Sequence, residues 1–182
     1  KKYNVLFIIS DDLTSTALSC YGNTVCKTPN IDALAASGLR FTDFHSSGPM
    51  CSPTRAGTLT GVYQQRFGPN FDGAISGVDD FNSGLPLEAV TIAEVLKEKG
   101  YATGCFGKWH LGNSYPYRAH DRGFQEAITF GGGVIGEAPD AWNNDYFTTT
   151  YSHNGKPLKV KQYCTDFLFD SAKQFIKSSN GK

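Results

Sequence analysis

The sequence has no excess of charge of either sign and no long apolar run. Lysine and arginine together number 17, as do aspartate and glutamate, so the formal net charge at pH 7 is zero. A chain of this kind has no overall electrostatic field that would attract nucleic acid or an acidic membrane surface, and neither partner is expected.

No stretch reaches the roughly 18 apolar residues of a membrane span, and residues 1–3 lead into a strand pattern without the apolar segment of a signal peptide. We expect a soluble chain whose signal peptide, if one existed, has been removed.

Cysteine is scarce as well, and its five copies follow no zinc-binding spacing. An odd number cannot pair completely, so a small disulfide framework is excluded and at least one thiol is left over. Cys20 and Cys26 flank a turn and could form a disulfide in an oxidising compartment, although two free thiols fit equally well. We interpret Cys105 and Cys164 as structural. The remaining Cys51 is the candidate for a chemical role.

The 182 residues, 40% of them hydrophobic, suffice for one sizeable core. Continuous apolar runs predict strands, and capped segments with helical spacing predict helices. Strands are expected at 5–9, 39–44 and 101–106, and helices at 29–37, 53–59, 92–99 and 165–176. Residues 112–161 show no sustained period and are expected to form loops. The alternation of strands and helices predicts an α/β fold with a largely parallel sheet.

Two adjacent acids, Asp11 and Asp12, follow the first predicted strand directly. Ligands of open α/β sheets bind at the carboxyl ends of strands, and a hard dication such as calcium prefers several oxygen ligands at one point. By spacing alone, a turn or a helix cap explains the pair as well as a metal site does.

The segment 51–55, Cys-Ser-Pro-Thr-Arg, places a thiol at the predicted start of a helix, with Ser52 as the N-cap and Pro53 in first position. Backbone N–H groups and the helix dipole favour anions there, and Arg55 one turn further on could direct its charge to the same anion. A buried thiol beside a surface arginine is the simpler alternative.

A second polar group follows the strand predicted at 101–106. Lys108 and His110 would emerge together at the carboxyl end of that strand, where they could serve an anion-binding site. A solvated lysine and a core histidine would satisfy the same pattern. Trp109 between them is interpreted as a packing residue that sets their directions.

Taken together, these segments resemble a known family. Residues 49–55, Pro-Met-Cys-Ser-Pro-Thr-Arg, with Leu-Thr-Gly at 59–61, resemble the first sulfatase signature, whose core is C-x-P-x-R. Residues 100–103, Gly-Tyr-Ala-Thr, with Gly-Lys-Trp-His at 107–110, resemble the second. Their order, and the segments around Asp11 and 28–32, make the chain similar to the amino-terminal half of type I sulfatases.

The resemblance implies an alkaline-phosphatase-like α/β/α sandwich with a mostly parallel central sheet, of which residues 1–182 form the N-terminal portion and the C-terminal part is absent. It implies a sulfuric ester hydrolase that cleaves aryl or carbohydrate sulfates. The expected partners are a sulfated small molecule or glycan and, transiently, a formylglycine-generating enzyme. The expected location is secreted, periplasmic or lysosomal.

The resemblance also implies site residues. Cys51 is oxidised to formylglycine before folding, and its hydrated form attacks sulfur to give a covalent sulfate intermediate. Asp11 and Asp12, together with the modified Cys51, hold one divalent metal, expected to be Ca²⁺, with Mg²⁺ as the alternative. Arg55 and Lys108 neutralise the sulfate, and His110 is the base that releases it.

Two alternatives are open. A phosphate or phosphonate ester hydrolase of the same superfamily could use the same groups, because phosphate resembles sulfate in shape. A non-catalytic sulfatase-like protein could bind sulfated glycans without cleaving them. A redox or zinc protein built on the cysteines fits less well, because no C-x-x-C pair occurs.

Overall fold

The computed structural model describes residues 3–76 and 82–179, and the chain divides into two units, Lys1–Ser46 and Ser47–Lys182. The helices are α1 (Pro29–Ser37), α2 (Cys51–Thr60), α3 (Ile92–Glu98) and α4 (Cys164–Ser179). The strands are β1 (Gly104–Lys108), β2 (Glu126–Phe130), β3 (Thr148–His153) and β4 (Lys156–Lys161). Among the described helices, none has both the length and the apolar character needed to cross a membrane.

The first unit is organised around α1, which begins at Pro29 as the sequence predicts. The carboxylate of Asp32 accepts hydrogen bonds from the Ser19 hydroxyl at 2.7 Å and from the Cys20 amide at 2.8 Å, which ties the helix to the preceding turn. The hydrogen bond from Ser19 is the main cause that lowers the pKa of Asp32. None of the described residues in 3–46 is buried.

The strands predicted at 5–9 and 39–44 are wrong. Both segments are irregular, and the apolar side chains of residues 5–9 are between 45% and 68% exposed. A strand needs a neighbour that satisfies its backbone groups, and within the described residues neither segment pairs with one. Apolar composition alone therefore did not identify a strand here.

The second unit contains a four-stranded sheet in the order β1-β2-β3-β4. β1 pairs with β2 in parallel, with Gly104 opposite Glu126, whereas β2–β3 and β3–β4 are antiparallel. The α/β class is confirmed, but the described sheet is mixed rather than largely parallel. The loop predicted at 112–161 is wrong, because it contains β2, β3 and β4, and the strand predicted at 101–106 lies a few residues later, at β1.

The core of the second unit brings the end of β1 against α2. Trp109 and Leu111 are 3% and 0% exposed and pack in one cluster with Ala56 of α2. The indole Nε1 of Trp109 donates to the Tyr117 carbonyl at 2.9 Å, which fixes the ring. The prediction that Trp109 is a packing residue is confirmed.

Candidate active site

Helix α2 begins at Cys51, two residues earlier than the sequence predicts, because Met50 rather than Ser52 is the N-cap. Ser52 and Pro53 are buried in its first turn, so this end of the helix is anchored in the protein. Cys51 is partly exposed and its thiol is free, as are those of the other four cysteines. The thiol therefore lies at a helix N-terminus, where unpaired N–H groups favour an anion.

His110 faces this thiol. Its Nδ1 lies 3.1 Å from Cys51 Sγ, and its Nε2 lies 3.0 Å from the Ile75 carbonyl oxygen. Because a carbonyl oxygen can only accept, Nε2 carries the proton, and in the neutral ring Nδ1 is an acceptor directed at residue 51. The backbone of His110 has a φ of 56°, in the left-handed region that few non-glycine residues adopt.

Ile75 joins the two parts of the site through its backbone. Its amide donates to the Ser52 hydroxyl at 3.1 Å, and its carbonyl accepts from His110. The first turn of α2 and the imidazole are thus held by one peptide segment. The sequence carries no signal for this role, because backbone groups of any residue type can fill it.

Burial is the main cause that lowers the pKa of His110 from its ordinary value. The hydrogen bond to Ile75 and the charge of Glu137 act in the opposite direction, whereas the positive charges of Lys108 and Arg55 lower the pKa further. His110 is only 7% exposed. A neutral imidazole near pH 7 can accept a proton, as a general base must.

Arg55 and Lys108 supply positive charge at the same place. The Arg55 guanidinium donates from Nη1 to the Lys108 carbonyl oxygen at 2.7 Å, which links the second turn of α2 to the end of β1. The structure therefore brings Cys51, Arg55, Lys108 and His110 together around the N-terminus of α2. Such a group can bind a tetrahedral oxyanion and move one proton beside it.

Asp11 and Asp12 belong to the first unit, where both carboxylates are exposed and Asp12 has a φ of 54°. Within the described residues, no three or more His, Cys, Asp or Glu side chains gather in a way that would hold a metal. Two adjacent carboxylates suit a hard dication, although they supply fewer than the six to eight oxygens that calcium takes. The metal set of Asp11, Asp12 and Cys51 stays a prediction.

The other three histidines have partners of their own. His45 lies 2.7 Å from Asp43, His153 lies 2.7 Å from Glu126, and His120 lies 3.7 Å from Asp121. Each of these rings therefore has a carboxylate neighbour away from Cys51.

Known proteins similar to this chain include proteins named as sulfatases. The sulfatase family model matches residues 3–182. Human arylsulfatase A is 50% identical over 109 residues, which are 60% of this chain and 21% of that protein. Dog arylsulfatase G is 43% identical over 124 residues, which are 68% of this chain and 22% of that protein. The chain thus spans about a fifth of the length of these curated relatives.

The fold is similar to those of solved structures that cover nearly the whole chain. Ps i-CgsB in complex with k-i-k-neocarrahexaose is similar with a TM-score of 0.83 and 32% identity, over 94% of this chain and 40% of that chain. BT4656, solved with its substrate D-glucosamine-2-N,6-O-disulfate, is similar with a TM-score of 0.75 and 29% identity, over 97% of this chain and 31% of that chain. Because the family model covers nearly the whole sequence and the fold agrees, the chain belongs to the sulfatase family.

Proposed function

We propose that this chain carries the nucleophile and the sulfate-binding groups of a sulfuric ester hydrolase in which Cys51 is converted to formylglycine. The observation that carries the proposal is the 3.1 Å contact between Cys51 Sγ and the acceptor nitrogen of His110 at the N-terminus of α2. A residue at this position has an anion-binding helix end on one side and a neutral base on the other.

Each residue has a distinct task in the proposed reaction. Conversion of Cys51 supplies a hydrated aldehyde, one hydroxyl of which attacks sulfur while the S–O bond to the alcohol breaks; the proton of the attacking hydroxyl ends on the departing alcohol oxygen. Arg55 and Lys108 bind the sulfate oxygens and stabilise their charge in the transition state. His110 Nδ1 removes the proton of the remaining hydroxyl, so that sulfate leaves and the aldehyde is restored. The Ile75 carbonyl keeps the His110 proton on Nε2 and so keeps Nδ1 available.

A divalent metal completes the proposed site. The adjacent carboxylates of Asp11 and Asp12 are the donors that Ca²⁺ prefers, and Mg²⁺ would accept the same oxygens. The bound ion would supply positive charge next to residue 51. Its remaining ligands would come from outside this pair.

The proposed substrate is an aryl or carbohydrate sulfate. Relatives named arylsulfatase and steryl-sulfatase support an aryl or related ester, and BT4656, solved with a disulfated glucosamine, supports a sulfated sugar. A formylglycine-generating enzyme is the proposed transient partner, and export to the periplasm, the lysosome or the cell exterior is the proposed destination.

The experiment that tests the proposal combines mass spectrometry with kinetics on the protein in its complete natural form. Peptide analysis should find an aldehyde in place of the thiol at Cys51, while Cys105 in the same digest should remain an ordinary cysteine. Turnover should be faster on 4-nitrophenyl sulfate than on 4-nitrophenyl phosphate. A preference for the phosphate would assign the chain to the phosphoesterase alternative. An unmodified Cys51 despite a competent maturation system would favour the glycan-binding alternative.

The metal is tested by calcium titration, with binding heat as the readout. Replacing Asp11 and Asp12 together by asparagine keeps the shape and removes two negative charges, so the affinity for Ca²⁺ should fall by at least about 100-fold. Replacing the exposed Asp72 by asparagine is the matched control and should leave the affinity unchanged. Equal affinities in the two variants would remove the pair from the metal site.

A further inference from the structure

A carboxylate lies beside the anion-binding groups and has no role in the reaction proposed above. Glu137 is on the loop that follows β2, and its side chain is exposed. A Cβ atom added to Gly133 would lie 2.8 Å from Glu137 Oε2 and 3.2 Å from His110 Cε1. The Glu137 carboxylate and the His110 ring are therefore no more than about 6 Å apart, on the two sides of a residue that has no side chain.

The loop that carries Glu137 is held by internal hydrogen bonds. The carboxylate of Asp140 accepts from the amides of Gly131 at 3.1 Å and Gly136 at 2.9 Å, and from the side-chain amide of Asn144 at 2.9 Å. The Asp140 amide donates to the Glu137 carbonyl at 2.8 Å. The backbone at Glu137 is thus fixed from both sides, so its carboxylate is presented from a defined place.

The carboxylate itself is available to a ligand. Within residues 3–76 and 82–179, no group donates a hydrogen bond to it and no cation pairs with it. Its charge nevertheless acts on the site, because it opposes the effect of Lys108 and Arg55 on the pKa of His110. An unpaired negative charge at the edge of a site for anions weakens the binding of every additional anion.

We infer that Glu137 is a specificity-determining residue that accepts hydrogen bonds from neutral hydroxyl groups of the leaving alcohol and disfavours a second negative charge next to the scissile ester. The inference rests on the proposed sulfatase function and adds the substrate class. An ionised carboxylate is an acceptor only, so it suits hydroxyl donors and repels sulfate or carboxylate neighbours. The selected substrates are esters that carry one sulfate on a neutral, hydroxyl-bearing unit.

The test compares matched substrates that differ by one negative charge. The aryl pair is 4-nitrophenyl sulfate and its 3-carboxy analogue, and the sugar pair is N-acetylglucosamine 6-O-sulfate and D-glucosamine 2-N,6-O-disulfate. The quantity measured is kcat/KM for the dianion divided by kcat/KM for the monoanion, in the complete protein with residue 51 converted. Effects of the extra group on intrinsic reactivity cancel when the ratio is compared between variants.

In Glu137→Gln the ratio should rise by about tenfold, because the variant has no negative charge to repel the second anion of the substrate. Glu137→Lys should raise it further, and added salt should reduce the difference between the variant and the wild type. Glu98→Gln, an exposed acid at the end of α3 that does not act on His110, is the control with the same change of charge and should leave the ratio unchanged.

The outcomes separate the two proposals. An unchanged ratio in both Glu137 variants, with normal turnover of the monoanion, would overturn the role of Glu137 and leave the sulfatase function intact. The same rise in Glu98→Gln as in Glu137→Gln would also overturn it, because the effect would then be one of net charge. Absence of turnover on all four esters by the wild type would overturn the sulfatase function and, with it, this inference.

Discussion

The imidazole of His110 has two nitrogens with different surroundings. Nε2 donates to the Ile75 carbonyl, and Nδ1 faces Cys51. The hydrogen bond at one nitrogen determines which nitrogen can act as the base, as in many catalytic histidines. Both the proposed base and the group that orients it are therefore present before a substrate binds.

His110→Gln should lower kcat on a sulfate ester by about 100- to 10,000-fold, the usual contribution of a general base. Steady-state kinetics and a thermal melt on the same sample measure the loss and check that the fold is retained. His120→Gln is the control, because His120 is paired with Asp121, and its kcat should stay near the wild-type value. A similar loss in both variants would contradict a specific role for His110.

Cys105 in β1 should be unreactive in the folded protein. Burial raises the pKa of its thiol to about 12, although the charge of Arg55 opposes this, so almost no thiolate is present at pH 8. Iodoacetamide at pH 8 should modify the exposed Cys26 first and Cys105 only after urea is added, as followed by peptide mass spectrometry. Early modification of Cys105 in the native protein would contradict the raised pKa of its thiol.

For individual residues, the sequence predicted the polar side chains that the structure brings together. Cys51, Arg55, Lys108 and His110 occupy ordered motifs whose residue types carry chemistry. Ile75 was not predicted, since it acts through its backbone. Glu137 was not predicted either, since it approaches His110 only because Gly133 lacks a side chain, a relation between distant segments that no local pattern records.

Among the elements, the helices were predicted best, because their ends have local signals. In α3 the Thr91 hydroxyl accepts from the Glu94 amide at 3.2 Å and the Glu94 carboxylate accepts from the Thr91 amide at 2.7 Å, so the two residues form a capping box at the start of the predicted helix. Such caps depend on residues three apart in sequence. Strands depend on partners elsewhere, so their prediction was poorer.

The sequence contains one local hairpin signal, the pair Asn154-Gly155, inside the region predicted as loops. Asn154 and Gly155 have φ values of 47° and 83° and form the tight turn between β3 and β4. Asn-Gly between β-branched or alternating segments is a strong hairpin signal, because both turn residues need positive φ. It would have identified the hairpin in the region predicted as loops.

Arg122 connects several segments of the second unit. It is 2% exposed, and its guanidinium donates to Glu94 Oε1 at 3.1 Å, to the Leu85 carbonyl at 2.7 Å and to the Ala89 carbonyl. The segment before α3 and α3 itself are therefore fastened to the turn that precedes β2. The carbonyl groups of that segment would lose their partners without it.

Arg122→Met should lower the free energy of unfolding by about 3 kcal/mol, because buried acceptors and the Glu94 carboxylate would be left unpaired. Arg118→Met is the control: its ion pair with Asp121 is partly solvent-exposed, so the loss should be under about 1 kcal/mol. Urea unfolding followed by circular dichroism measures both. Equal losses would contradict the stabilising role of Arg122.

The whole chain consists of two units of unequal character. The hydrophobic core lies in Ser47–Lys182, whereas none of the described residues in 3–46 is buried. The family resemblance predicted the α/β class, but it did not predict this division. How the chain divides into units depends on which residues become buried. The apolar run at 5–9 predicts buried residues in the first unit, yet these side chains are exposed.

A chain limited to residues 47–182 should keep the sheet, because the residues that form its core are all retained. Residues 3–46 alone should be unfolded, since ordering them would bury too little apolar surface to offset the entropy lost. Hydrogen exchange should show protected amides in β3 and β4 in the first fragment and no slow amides in the second. Loss of protection in β3 would contradict a core confined to the second unit.

The left-handed backbone at His110 places a conformational free-energy cost at the position of the proposed base. Glycine tolerates a φ of 56° better than histidine does. Replacing His110 by glycine would relieve the backbone, but it would remove a buried imidazole and its hydrogen bond to the Ile75 carbonyl, together with the proposed base. Any attempt to stabilise this protein by changing position 110 therefore has to measure heat resistance and turnover together.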